Sequence, residues 1–391
     1  MFRFILIIFF FISSYVYTQV QLPILAFSGV TTGNAKDFVT LKNAGFNISL
    51  DVYHTTKDAI RNLNAAEKSG VKLFIYSDSL MLKPDKVINQ IKDHPAFYGS
   101  YVSDEPPVEH FAMIKWRIEG IKEFDKKGRF YINLLPNLAS NKQLGTVSYQ
   151  DYLQKFVEVV QPDFISFDYY PIKNDKVDAA WYNNLEDIRK VSLQINKPFW
   201  GFANSTVFGP HSQPTLAGLK LQQFGNLLYG AKGLQYFTYW TQNQDFRIKN
   251  NFQHSIVYED GRPTPTYNLV KQVNAQIRIL QRIFVNGTVK NVYHDGSCIP
   301  QGTNILKNLP ENFSGFNSSK QSVLVSFIES AKKRFLIVQN KNIDKSISFK
   351  YKLKSAMNIV DNRTGAEKKI YVNVNSANIL PGDILIFSYP K

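Results

Sequence analysis

From residue 23 to about residue 285, short apolar runs alternate with amphipathic stretches, the arrangement of a parallel α/β fold. Eight runs read as strands: 24–28, 46–51, 71–77, 98–103, 129–135, 163–169, 198–203 and 233–240. Helical stretches separate them. One spans 56–69 and stops before Gly70, and another spans 107–127 and stops before Gly128. Pro107 suits a first helical turn, where its missing N–H costs nothing. The stretches 149–160 and 215–231 repeat the arrangement, and 265–284 closes the series. Eight strand–helix units in roughly 260 residues predict a closed (β/α)8 TIM barrel, because doubly wound sheets usually have fewer strands. The run Ser28-Gly29-Val30-Thr31-Thr32-Gly33 lacks the glycine spacing of a dinucleotide site. No cofactor is expected.

After Asn286 the texture changes. Short β-rich runs at 323–328, 334–339, 346–351, 369–374 and 384–389 are separated by turns such as Asp361-Asn362-Arg363-Thr364-Gly365 and Pro381-Gly382-Asp383. This predicts a barrel over 19–286 and a small C-terminal β-sandwich over 287–391, packed against the barrel. At the other end, Met1-Phe2-Arg3 and the apolar run from Phe4 to Ile12 read as a signal peptide over 1–18. That run falls short of the ~20 apolar residues of a membrane span, so a secreted protein without a stable membrane anchor is expected.

Composition narrows the chemistry. Cys298 is the single cysteine, which excludes an intrachain disulfide and leaves zinc-finger or thiol-redox chemistry without ligands. The formal net charge of +15 brings nucleic acid into view. The lysines form no long run, however, and an export signal argues against a nucleic-acid partner; an anionic polysaccharide, a cell surface or plain solvation suits the charge better. No His-x-x-x-His or HExxH pattern occurs, so no metal is expected. Nothing in the pattern sets an oligomeric state.

In a barrel of this kind the reactive groups stand at the C-terminal ends of the strands. Asp104 and Glu105 follow the fourth run, and at a strand tip one acid can face the pocket while its neighbour orients a loop or a sugar hydroxyl. Glycosidic cleavage needs an acid kept neutral by burial or a like charge, a task that Glu105 beside Asp104 could perform. The same pair would also suit the N-terminus of the following helix. Asp168, ending the sixth run, is the best second carboxylate. Facing Glu105 at ~6.5–9.5 Å it would direct inversion, and at ~5–5.5 Å a covalent route. Asp51, Asp78 and Asp245 are further acids, and His54 a loop histidine able to bind a hydroxyl. Sugar faces stack on flat rings, and Tyr169, Tyr170, Trp200, Tyr239 and Trp240 lie near strand ends, with Asn204 and Gln242 as neutral hydroxyl binders.

With these residues the chain resembles the clan A glycoside hydrolases, nearest the β-galactosidase-like family 42 type. In that clan the general acid/base is a Glu after the fourth strand, usually preceded by Asn, and here Asp104 stands in the Asn position. The segment Asp260-Gly261-Arg262-Pro263-Thr264-Pro265-Thr266-Tyr267 resembles the lead into that family's last helix, and Trp240 its platform tryptophan. The resemblance implies a carbohydrate substrate and hydrolysis by carboxylates. One departure stands out. The clan's nucleophilic Glu ends the seventh strand, yet residues 196–244 contain no Asp or Glu. Two expectations follow: a secreted glycoside hydrolase, or a non-catalytic carbohydrate-binding protein on a degenerate glycosidase barrel.

Overall fold

The computed structural model describes residues 21–309, 311–317 and 321–391, so the signal peptide expected over 1–18 lies outside the described residues. Eight parallel strands close into a barrel in chain order. They are β1 (Ile24–Phe27), β2 (Ile48–Val52), β3 (Lys72–Tyr76), β4 (Phe97–Asp104), β5 (Phe130–Leu134), β6 (Ile165–Phe167), β7 (Phe199–Asn204) and β8 (Gly233–Phe237). Closure is direct, with Ile24 of β1 opposite Leu234 of β8. Inside, Leu25, Ile48, Leu50, Phe74, Tyr101, Tyr131, Phe164 and Trp200 form one cluster. The barrel interior is therefore packed, and chemistry is confined to its ends.

Side-chain caps start the helices where the sequence places Ser or Thr. Thr55, Ser148 and Thr215 accept from the N–H groups of Asp58, Asp151 and Gly218, opening helices Thr56–Glu67, Tyr149–Val160 and Leu216–Tyr229. One expectation is corrected. Pro107 has an extended backbone and precedes a short 3-10 turn, Val108–His110, before the helix Phe111–Lys122 begins. Asp104 and Glu105 therefore lie several residues ahead of that helix, too far to cap its first turn.

The C-terminal part folds as two antiparallel sheets. The strands are β9 (Thr288–Asp295), β10 (Phe313–Asn317), β11 (Val323–Glu329), β12 (Lys333–Asn340), β13 (Ile347–Leu353), β14 (Met357–Val360), β15 (Glu367–Ile370), β16 (Val374–Ile379) and β17 (Ile384–Pro390). Six form one sheet in the order β9-β11-β12-β17-β14-β15, and three the other, β10-β13-β16. Phe313, Val325, Leu336, Phe349 and Phe387 fill the space between. The run 369–374, expected as one strand, is instead where the chain crosses between sheets: β15 ends at Ile370, β16 starts at Val374, and Tyr371 and Val372 are exposed.

The two parts share a core. Val289, Val292, Leu324, Ile328 and Ile337 belong to the same buried cluster as the barrel helices. Polar ties reinforce it: Lys220 Nζ meets Asp383 Oδ2 at 2.6 Å, and Ser326 Oγ donates to the Leu228 carbonyl at 2.8 Å.

Candidate active site

Four acids stand at the C-terminal rim of the barrel: Asp51 in β2, Asp104 at the tip of β4, Glu105 just beyond it, and Asp168 just beyond β6. The end of β4 is shaped by two local features. Its register against β5 shifts between Tyr101 and Ser103, a bulge of the sort that re-aims side chains. Glu105 then has φ 45°, left-handed backbone that costs a non-glycine residue on the order of 1 kcal/mol or more. Neighbours hold it there. The Glu105 N–H donates to the Asn133 carbonyl at 2.8 Å, and the buried Tyr152 hydroxyl donates to the Pro106 carbonyl at 2.8 Å.

This geometry sends the two adjacent acids to different partners. Asp104 Oδ1 accepts from Asn133 Nδ2 at 3.1 Å. The Glu105 carboxyl lies within hydrogen-bonding reach of the carboxyl of Asp168. Two carboxyls this close resist being ionised together, so the last proton leaves the pair less readily than it would leave either group alone. Burial, then the charges of Glu105 and Asp104, push Asp168 well above the usual carboxylate range. Tyr170 donates its hydroxyl to Asp168 Oδ2 at 3.0 Å, while Oδ1 is buried with no N–H or hydroxyl donor among the described residues. Burial also raises Glu105, offset by its bond to Asp168. Asp104 is pushed up to about 6 by burial and by Glu105, against the pull of Asn133. Asp51 is pushed up to about 7 by burial, although the Val52 N–H donates to it at 2.7 Å. Asp104 and Glu105 are nonetheless exposed and Asp168 half-buried, so protein crowds these groups without sealing them from water.

Beneath the acids, Tyr101 forms a floor. Its hydroxyl lies in the fields of Asp104, Asp51 and Asp168, and its ring packs against Tyr76 and Tyr131 at 5.8 and 5.6 Å. A chain of hydrogen bonds runs under that floor. Tyr131 donates to Gln235 Oε1 (2.5 Å), Gln235 Nε2 to Ser166 Oγ (2.9 Å), Ser166 to Asn133 Oδ1 (3.0 Å), and Asn133 to Asp104. Ser166 Oγ also lies 3.0 Å from the Tyr131 hydroxyl, so Asn133, the donor to Asp104, is held in a connected polar network with Ser166, Tyr131 and Gln235.

An aromatic wall stands beside the acids. Phe237, ending β8, stacks on Tyr170 with centroids 5.2 Å apart, and Phe208 stacks on Phe252 at 4.8 Å and 8°. Phe246 extends this wall from the helix Gln244–Asn250. All five rings keep some exposure. Asn133, Tyr101 and the phenylalanines of this wall were not singled out from the sequence. Asn133 sits at the C-terminal end of β5 and carries the same strand-end signal as the acids.

The structure brings Glu105, Asp168, Asp104, Asp51 and Tyr170 together and places the other candidates elsewhere. Tyr169 is 2% exposed and turns away, donating its hydroxyl to Asp178 at 2.7 Å. Trp200, 5% exposed, stacks on Phe164 and lines a cavity with Gln21, Arg129 and Pro198, at the N-terminal end of the strands. Tyr239 is buried against Phe46. Trp240 is half-buried; its indole lies against Gly261, and Tyr239 is its ring neighbour, so Phe237 rather than Trp240 faces Tyr170. Asn204 is buried, with Oδ1 accepting from the Thr206 N–H at 3.2 Å. The Gln242 carbonyl accepts from Arg247 at 3.1 Å, and Asp78 accepts from Tyr76 at 3.1 Å. Asp245 lies in the first turn of Gln244–Asn250, and His54 is exposed in the loop after β2. Among the described residues, no group of three or more His, Cys, Asp or Glu side chains is placed to hold a metal ion.

No protein-family model matches the chain, and no curated protein matches it. Solved structures do. An arabinose-bound variant of a family 27 β-L-arabinopyranosidase from Geobacillus stearothermophilus is 9% identical, with 94% of this chain and 96% of that one covered and a TM-score of 0.51. Its wild-type form is also 9% identical, with 94% and 95% covered and a TM-score of 0.50. A family 39 glycoside hydrolase from Bacteroides cellulosilyticus WH2 is 13% identical, with 94% and 80% covered and a TM-score of 0.47. At such identity the likeness is one of fold: a closed eight-stranded parallel barrel followed by an antiparallel β domain, the architecture of proteins described as glycoside hydrolases.

Proposed function

We propose that this chain is a secreted glycoside hydrolase in which Glu105, paired with Asp168, is the general acid. The observation that carries this reading is the close Glu105–Asp168 pair, open to water beside a wall of flat rings. Glu105 is the exposed member and the one a substrate reaches. Asp168, anchored by Tyr170, resists joint ionisation of the pair and so favours the acid form. The wall offers Phe237 and Tyr170 to the apolar face of a pyranose.

Hydrogen-bonding reach puts the pair closer than the ~5–5.5 Å of retaining or the ~6.5–9.5 Å of inverting carboxylates. Asp168 therefore works on the same side of the bond as Glu105, and the second catalytic group must be another acid. We assign that role to Asp51, across the Tyr101 floor, whose carboxyl at about 7 suits a base near neutrality. Water gives its proton to Asp51 and its oxygen to the anomeric carbon. The glycosidic C–O bond breaks, and the proton of Glu105 goes to the leaving oxygen, so the anomeric configuration inverts. Asp104, fixed by Asn133, orients a sugar hydroxyl.

The absence of any acid in residues 196–244 favours a second reading, a sugar-binding protein without turnover. Prolonged incubation with a glycan panel, followed by product analysis, separates the two. Cleavage by the wild type and none by Glu105→Gln supports the hydrolase. Affinity without cleavage in both selects the binding protein.

A further inference from the structure

A second cavity of about 380 Å³ opens between the barrel and the β domain, within the range of about 300–1,000 Å³ of small-molecule sites. None of its lining residues belongs to the carboxylate site. Val177, Ala179 and Tyr182 line it from the barrel, and Cys298, Ser322 and Lys341 from the β domain. Lys345 adds a second cation, and no Asp or Glu is among the lining residues.

Two buried polar side chains give this cavity its character. Lys341 is 8% exposed, and its Nζ donates to the Cys298 carbonyl at 2.9 Å and to His294 Nδ1 at 3.0 Å. Burial, joined by Lys341, pushes His294 down to about 2, so the ring is neutral; accepting at Nδ1 places its own proton on Nε2. That N–H faces the Tyr229 hydroxyl at 2.8 Å, and Tyr229 in turn hydrogen-bonds to Glu186. The Lys341 charge is thus answered through this relay and by the negative charge of Asp295, which does not line the cavity. Burial lowers Lys341 to about 8, which leaves it mostly protonated at neutrality. Tyr182 is also almost wholly buried, beneath Lys341 Nζ at 5.2 Å from its ring, and its hydroxyl has no hydrogen-bond partner among the described residues. Native proteins seldom leave a buried hydroxyl unpaired.

We propose that this cavity binds a small carboxylate, its oxygens accepting from Lys341 Nζ and the Tyr182 hydroxyl and its apolar body lying against Val177 and Ala179. Two lysines on a wall whose described residues include no acid favour an anion, and a carboxylate meets both the lysine and the unpaired hydroxyl at once.

The test uses the full chain, because its single cysteine, exposed Cys298, lies on the cavity wall and reports occupancy through its rate of alkylation by iodoacetamide. Benzoate is the probe, and benzamide, of the same shape without charge, is the control. Benzoate should slow alkylation saturably and benzamide should not. Tyr182→Phe should raise the half-protecting benzoate concentration about tenfold, and Lys341→Met should abolish protection. Should Lys341→Met fail to fold, Tyr182→Phe decides alone, since it removes only an unpaired hydroxyl. The absence of protection by benzoate, equal protection by benzamide, or an unchanged half-protecting concentration in Tyr182→Phe overturns the proposal.

Discussion

The carboxyl of Glu105, carried on a left-handed residue beyond β4, lies within hydrogen-bonding reach of the carboxyl of Asp168 beyond β6, and burial raises both. The pair joins two strands that are not neighbours, across the end of β5 that lies between them. Two carboxyls so close do not stand on opposite faces of a sugar.

Replacing Glu105 with Gln should lower turnover on any glycan the wild type cleaves by about 10²–10⁴-fold, the usual contribution of a positioned acid. The thermal midpoint should hold or rise, because the change removes one of two crowded carboxyls. Steady-state kinetics and a melting curve on the same preparation check both.

Asp168→Asn should act on pH dependence. In the wild type, loss of the pair's last proton would leave two adjacent carboxylates, which holds the acid form to higher pH. With a neutral amide in place of the Asp168 carboxyl, this like charge no longer resists ionisation of Glu105, so the alkaline limb of the rate profile should move down by about one pH unit or more. An unmoved limb would assign Asp168 a purely structural role.

Asp51 bears on stability. Its folded value of about 7 lies above the ordinary aspartate value, so the native state binds a proton more readily than the unfolded chain. The stabilisation this gives is full at low pH and is lost as pH rises from about 4 through about 7. Asp51→Asn should therefore stabilise by about 1–2 kcal/mol at pH 8, after allowance for solvent screening, and change little at pH 4. Urea unfolding at the two pH values measures the difference.

At the junction of barrel and β domain, Lys220 and Asp383 are both nearly buried, and Gln276 Nε2 also donates to Asp383 at 2.9 Å. Removing one partner of a buried pair strands the other charge, so Asp383→Ala should destabilise by about 3–5 kcal/mol. The shared core makes unfolding of the two parts cooperative, and a single calorimetric transition should shift as a whole.

The barrel was legible because buried parallel strands are short continuous apolar runs bounded by turns, and all eight appear where such runs stand, from Ile24–Phe27 to Gly233–Phe237. Glu105 and Asp168 were legible for a related reason, as carboxylates immediately after such runs. Which aromatic rings face the mouth was not. Tyr169 and Tyr170 are neighbours with the same chemistry, and only the local path of the chain after β6 sends one to Asp178 and the other to Asp168. Trp200 follows an apolar strand start and sits at the wrong end of the barrel, whereas Phe208 and Phe252 approach the mouth from loops whose course no periodicity encodes. The separation of Glu105 from Asp168 depends on the bulge in β4 and the φ of residue 105, neither of which has a residue signature here.

Whether Glu105 and Asp168 share a proton is most directly observed by infrared spectroscopy of the carboxylic C=O stretch at pH 8, above the values of Asp51 and Asp104. The wild type should retain a protonated-carboxyl band there and Asp168→Asn should lack it. A wild-type spectrum without that band would contradict the account.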